Sequence, residues 1–306
     1  MGPDEDLPTL LSRNDHLSIL RYIRAHKLRE PNLVITHGTA LLGYNATEPQ
    51  KSRPTFTLDP ANRLAATEQL CMAAIDLGNS PLAQVTLEAI LLDVPPESAR
   101  YRKLQGMHLE SIGNYEEATK IYDELLADNP SNGYAAKRKY CVLASQNKQK
   151  EAMQALNEYL EMHPGDIAAW NEMAEACLAV SDFKGASYCY EEVVLGCPLD
   201  SNVHMKLGEV YSTAGDFKLA RKHLSQAVLL DGDNLRAWFG LIDAAEGYLE
   251  DVERRSAKSK KEVDEESVDV AKELILFGGE KLMGHYRGTK MGKLIASLLK
   301  ESSQTL

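Results

Sequence analysis

GNYEEATKIYDELLADNP (residues 113–130), NKQKEAMQALNEYLEMHP (147–164), SDFKGASYCYEEVVLGCP (181–198) and GDFKLARKHLSQAVLLDG (215–232) align without a gap at a spacing of 34 residues. Each carries an alanine in sixth place: Ala118, Ala152, Ala186 and Ala220. A small residue stands twelve places before it in three of the four (Gly106, Ala174, Gly208), and an aromatic three places before it (Tyr115, Phe183, Phe217). Four places after it comes a large packing residue, Tyr122, Leu156, Tyr190 or Leu224. Twelve after it comes Pro130, Pro164 or Pro198, with Gly232 in the last copy.

This is the period of the tetratricopeptide repeat, in which two antiparallel helices, A and B, make one unit. Packing explains the residue types. The early Gly or Ala faces the later Ala where the helices cross, and the aromatics fill the space beside the crossing. Proline starts a following helix and cannot continue the preceding one. Gly106, Ala118, Ala152, Ala174, Ala186, Gly208 and Ala220 are therefore the expected repeat-packing residues. Chance periodicity in an alanine-rich helical chain does not supply four registers with matching satellites. The expected fold is all-α, a tetratricopeptide-repeat solenoid forming a right-handed superhelix of antiparallel helix pairs.

Extended backwards, the register finds a fifth unit 35 residues earlier, with Cys71 in the small position, Gly78 in the turn, Ala83, Leu87 and Pro95. Extended forwards, it finds Trp238 in the place of Trp170 and then a break. Gly247–Ser267 departs from the pattern in alternating charge blocks, helix B returns near Val268–Phe277, and an amphipathic helix around Met291–Leu299 caps the stack. Residues 7–44 read as one or two helices interrupted at Pro31, and 45–60 as an exposed connection carrying Pro49, Pro54 and Pro60. Three regions follow: 1–60, an N-terminal helical segment and its connection; 61–232, the repeats; and 233–306, a degenerate repeat with a charged insertion and a capping helix.

Length alone, 306 residues, would suggest about two domains, but stacked repeats share one continuous core. The net charge of −11 argues against a general nucleic-acid binder, which needs positive surface to displace counterions. The five cysteines (Cys71, Cys141, Cys177, Cys189, Cys197) show no CxxC pair and no metal spacing, so reduced thiols and no metal are expected. The N-terminus has no signal-peptide pattern, and Asp6 spoils a myristoylation motif at Gly2. No apolar run approaches the ~18 residues that would cross a bilayer. The sequon Asn45-Ala46-Thr47 would then never meet the glycosylation machinery.

Catalytic signatures are missing. The eight histidines are scattered, and there is no HExxH, G-x-S-x-G, P-loop or G-x-G-x-x-G. The expectation is a non-enzyme without a cofactor. The candidate partner-binding residues are Arg100, Lys103, Lys137 and Arg138, on two successive A helices. Lys103 and Lys137 are one period apart, so on the concave face they would attract an acidic segment; a solvated rim is the competing account. The chaperone-tail clamp needs Lys-x-x-x-Asn, but Lys103 is followed by Met107, Lys137 by Cys141 and Asn171 by Glu175. The Arg254–Lys261 run is nearly cancelled by flanking acids, which favours an exposed loop or protruding helix over a lipid contact.

The stretch at residues 115–178, above all EAMQALNEYLEMHPGDIAAWNEMAE (Glu151–Glu175), together with NLRAWFGLIDAA and the insertion SAKSKK, resembles the family of subunit 2 of the endoplasmic reticulum membrane protein complex, over about residues 60–300. The resemblance implies a non-catalytic, cytosol-facing scaffold in a membrane-protein insertase for tail-anchored and multispanning clients. It also implies contacts with the cytosolic parts of subunits 1, 3 and 5, and in some lineages an 8/9-type subunit. It implies membrane association through those protein partners. The alternative is a soluble tetratricopeptide adaptor or co-chaperone that grips an acidic peptide.

Overall fold

The computed structural model describes residues 6–45, 58–258 and 265–305, and among these every regular element is a helix. The chain divides into two compact units, Met1–Tyr159 and Leu160–Leu306. The first holds α1 (Leu7–Arg13), α2 (His16–Ala25), α3 (Pro31–Leu42), α4 (Pro60–Asp76), α5 (Ser80–Ile90), α6 (Ala99–Ser111), α7 (Tyr115–Asp128), α8 (Gly133–Ser145) and most of α9 (Gln149–Met162). The second holds α10 (Ile167–Ala179), α11 (Phe183–Gly196), α12 (Ser201–Ala214), α13 (Phe217–Leu230), α14 (Leu235–Lys258), α15 (Glu265–His285) and α16 (Lys290–Thr305).

The period of 34 is written in the helix crossings. All four ruler alanines are buried, as is Ala174. A Cβ placed on Gly106 would lie 2.8 Å from the ring of Tyr122, and one on Gly208 would lie 2.5 Å from Leu224 Cγ and 3.2 Å from the Ala220 carbonyl oxygen. The small residue of helix A thus makes room mainly for the large residue four places after the alanine. In the hairpin of α4 and α5, Cys71, Ala83 and Leu87 occupy the same places and are buried.

The turn from A to B repeats the same backbone in five units. One residue takes positive φ: Gly78, Gly113, Asn147, Ser181 and Gly215, at +68°, +81°, +57°, +60° and +82°. Glycine meets that demand at no steric cost, whereas Ser181 must hold a Cβ in the left-handed region. The following Asn79, Asp182 and Asp216 then cap helix B, their side chains accepting from the backbone N–H groups of Leu82, Gly185 and Leu219.

In the second unit the turn from B to A is closed by a ring N–H. Trp170 Nε1 donates to the Pro164 carbonyl at 2.8 Å, and Trp238 Nε1 to that of Gly232 at 2.8 Å. His204, midway between them in register, donates from Nε2 to Pro198 at 3.1 Å. Neutral His204 therefore carries its proton on Nε2 and presents a lone pair at Nδ1. His223 Nδ1–H meets that lone pair at 3.2 Å across stacked rings, which ties α12 to α13.

Three expectations need correction. Residues 7–42 form three helices, because Asn14 ends α1 in the left-handed region and Asp15 caps α2. Pro31 opens α3 at its first turn, where its missing N–H costs nothing. The pattern does not break at Gly247. Helix α14 runs on to Lys258, and Gly247 is small because the Phe217 ring lies against it. Helix B of this last hairpin begins at Glu265 and continues to His285, and there the packing is inverted: Ile242 of helix A lies 3.0 Å from where a Cβ on Gly278 of helix B would sit. Residues 46–57 of the connection and 259–264 of the charged insertion lie outside the described residues.

Ala186→Leu inserts three carbons into a buried crossing and should lower stability by about 1–3 kcal/mol, read as a drop in the denaturant midpoint at unchanged slope. Ser181→Gly should raise stability by about 0.5 kcal/mol, the left-handed penalty less the added freedom of the unfolded chain. His223 is held below the ordinary imidazole value of 6.5 by burial first, then by His204 and Lys222, with Glu191 opposing. Burial lowers His37 and His108 too, with His16 adding to the effect on His37. As pH falls through 6.5, the unfolded chain takes up protons that the folded chain refuses, so stability declines on acidification. The melting midpoint should therefore be lower at about pH 5.5 than at about pH 7.5, and His223→Gln should flatten that dependence.

Candidate partner-binding surface

The four cations singled out in the sequence lie on α6 and α8, and the structure gives each a partner within its own unit. Arg100 is bound to Glu68 of α4, with Nη2 2.6 Å from Oε2, and this hydrogen bond is what holds its pKa above the ordinary guanidinium value. Arg138 forks onto both oxygens of Glu110, and Tyr122 donates its hydroxyl to the same carboxylate. Burial pulls the Arg138 pKa down, but its bonds to Glu110 and Tyr122 outweigh burial and leave it raised. Tyr122 is raised by burial and by Glu110, so it stays protonated as a donor at any physiological pH. The carboxylate of Glu110 thus joins α6, α7 and α8.

The two lysines are placed differently. Lys103 Nζ sits 4.0 Å from the centroid of the Tyr134 ring, and Lys137 Nζ 5.3 Å from that of Tyr159. Each contact contributes about 0.5–1 kcal/mol at a partly exposed site. An ammonium over a ring keeps its charge. The structure therefore separates the four cations into two guanidinium groups bonded to glutamates and two ammonium groups over tyrosine rings.

The bridge recurs in the second unit. Tyr190 donates to Glu175 at 2.8 Å, and Lys206 of the next A helix donates to the same oxygen at 2.7 Å. Lys206 first, then Tyr190, lowers the Glu175 pKa, with burial opposing. One helix further on, Arg236 grips Glu209 through both oxygens at 2.6 and 2.8 Å. Sequence reading missed these bridges because each joins residues 27 to 31 apart on neighbouring A helices. The only available signal was the tyrosine at the packing position, which needs a polar partner for its hydroxyl when buried.

Two open clefts mark the surface. One of about 500 Å³ lies among α7, α8 and α9, with Lys120, Lys139 and Lys148 facing Glu116, Glu151 and Glu158. The other, about 240 Å³, lies over Leu178, Tyr190 and Val210 and is rimmed by the Lys206–Glu175 and Arg236–Glu209 pairs. None of Arg100, Lys103, Lys137 or Arg138 lines either cleft. Among the described residues, no group of three or more His, Cys, Asp or Glu could hold a metal ion. No described helix is long and apolar enough to cross a membrane. The five cysteines are free thiols, and burial raises those of Cys71 to about 11 and Cys189 to about 12, far from nucleophilic at neutral pH.

Comparison with known proteins matches this surface to one family. The EMC2 TPR-like repeat domain matches residues 81–232. ER membrane protein complex subunit 2-A of Xenopus laevis is 36% identical over 198 residues, which are 64% of this chain and 66% of that protein. The TPR repeat protein oca3 of Schizosaccharomyces pombe is 30% identical over 188 residues, 60% of this chain and 66% of that one. ER membrane protein complex subunit 2 of Dictyostelium discoideum is 28% identical over 183 residues, 59% and 53% of the two chains. The aligned part thus spans between about half and about two thirds of these relatives' lengths. The family match at 81–232 includes the four alanines, the crossings they seat and the cations of α6 and α8, and with these relatives it shows that the chain belongs to the family of subunit 2 of the ER membrane protein complex.

Proposed function

We propose that the protein is a non-catalytic scaffold subunit of the ER membrane protein complex. It works on the cytoplasmic face of the endoplasmic reticulum and supports the insertion of tail-anchored and multispanning membrane proteins. The observation that carries the reading is the 36% identity over 198 residues with ER membrane protein complex subunit 2-A. The chemistry is consistent with it: Glu110, Glu175 and Glu209 are engaged in bridges between helices, which stiffen a surface.

In this reading residues 61–232 supply the repeat surface, 1–60 and 233–306 flank it, and the companions are the cytosolic parts of subunits 1, 3 and 5, with an 8/9-type subunit in some lineages. Lys103 and Lys137, backed by tyrosine rings, receive carboxylates of a companion segment, with the guanidinium groups of Arg100 and Arg138 fixing the helices on either side. The adaptor reading differs in its prediction: an adaptor stays in the cytosol and exchanges its peptide.

The chain should co-purify stoichiometrically with membrane subunits after detergent extraction; recovery only as a soluble monomer would overturn the proposal. Lys103→Glu with Lys137→Glu removes two cation–π contacts, so stability should fall by about 1–2 kcal/mol while helicity by circular dichroism is retained. The same double change should reduce the yield of companion subunits. Unreduced yield would remove the two lysines from the interface and leave the scaffold reading in place.

A further inference from the structure

The second unit carries three leucines in water that its fold does not require. Leu195, Leu199 and Leu229 are 74%, 80% and 77% exposed. Leu195 and Leu229 share one register position, nine residues after Ala186 and Ala220. The same position holds Ala127 and Glu161 in two other repeats, both exposed, so the hairpin is built equally well without an apolar side chain there.

Leu195 and Leu229 stand in the last turns of α11 and α13, and Leu199 in the loop that follows α11. Ser201 Oγ donates to the Ala227 carbonyl at 3.0 Å and receives Asn234 Nδ2 at 3.4 Å. This clamps the 197–200 loop, with Leu199 in it, beside the last turn of α13. The ring N–H bonds of His204 to Pro198 and Trp238 to Gly232 hold both turns in place. The edge is preorganised.

The charged side chains of its two stretches have one sign. Residues 191–200 hold Glu191, Glu192 and Asp200 and no lysine or arginine; residues 224–234 hold Asp231 and Asp233 and again none. Neither α11 nor α13 has a basic residue in its last turn; the C-terminal dipole ends of α11 and α13 are met by the N-terminal ends of α12 and α14, so the negative charge here is that of the carboxylates. An anionic bilayer surface or an acidic peptide would be repelled. An apolar face flanked by lysine or arginine would be attracted, steered and then desolvated against the leucines.

We propose that Leu195, Leu199 and Leu229, within this acidic surround, form a docking edge for a cationic amphipathic helix of a partner protein. It deepens the scaffold reading only in that the helix would belong to a companion subunit. A fluorescent Leu/Lys amphipathic peptide, titrated into the purified full chain, should bind, and the combined Leu195→Ser, Leu199→Ser and Leu229→Ser variant should weaken it about tenfold or more with its melting midpoint preserved. A Leu/Glu peptide and phosphatidylserine vesicles should not bind. In the detergent-extracted assembly, a photo-crosslinker at position 229 should label one segment whose apolar face is bordered by lysine or arginine. Equal peptide affinity of the triple variant, binding of the Leu/Glu peptide or the vesicles, or labelling of lipid, of a second copy or of an acidic segment would each overturn the proposal. Should the chain bring down no companion, the scaffold reading fails, while the peptide titration still decides the docking edge.

Discussion

The structure depends on how closely helix A can approach helix B. Gly106 lets the Tyr122 ring lie where a Cβ would be, and Gly208 does the same for Leu224. Protein interiors are packed to crystal density, so a single methyl at such a point must displace a ring or a helix. Close approach then fixes what happens at both ends of the hairpin. The chain must reverse within a few residues, which requires one left-handed residue between A and B. The return to the next A helix must be equally tight, and in the second unit an indole or imidazole N–H secures it. The crossing and the two turns are thus one constraint repeated every 34 residues.

The same crossing positions the polar groups. Because Tyr122 and Tyr190 reach past the small residues of their A helices, their hydroxyls arrive beside Glu110 and Glu175, where Arg138 and Lys206 of the next A helix also arrive. A carboxylate shared by a hydroxyl and a cation is satisfied on several lone pairs, which lets it sit partly buried without a large desolvation cost. The repeat core therefore uses up positive charge internally, although the chain is acidic as a whole.

Much of this was legible in the sequence. The alanine ruler, its small and large satellites and the fifth unit at Ala83 depend on near-neighbour spacing within one hairpin, and spacing is what a sequence displays. Other features rest on contacts between residues far apart in the chain. Gly247 reads as a breaker until the ring of Phe217, thirty residues earlier, is seen against it. Gly278 reads as a flaw in a helix until Ile242 fills the space, reversing the usual order of small and large. Arg138 reads as a free cation because Glu110 is 28 residues away. Asn147 and Ser181 conceal the turn that Gly78, Gly113 and Gly215 announce, since residues other than glycine reveal nothing of their φ in a sequence.

A repeat constrains some positions and leaves others open, and the open ones carry the information that a fold cannot explain. At the ruler positions, alanine answers to sterics. Nine residues later sterics are indifferent: Ala127 and Glu161 are accepted as readily as Leu195 and Leu229, and all four face water. Leucine in water gains nothing for the monomer, and here two leucines stand one period apart with a third in the loop that Ser201 ties to α13. The cations of α11 and α13 (Lys184, Lys218, Arg221 and Lys222) stand in the first two turns of their helices, away from that end. What this end of the unit offers is therefore apolar surface under negative potential, a pairing that only a basic, apolar partner can satisfy on both counts.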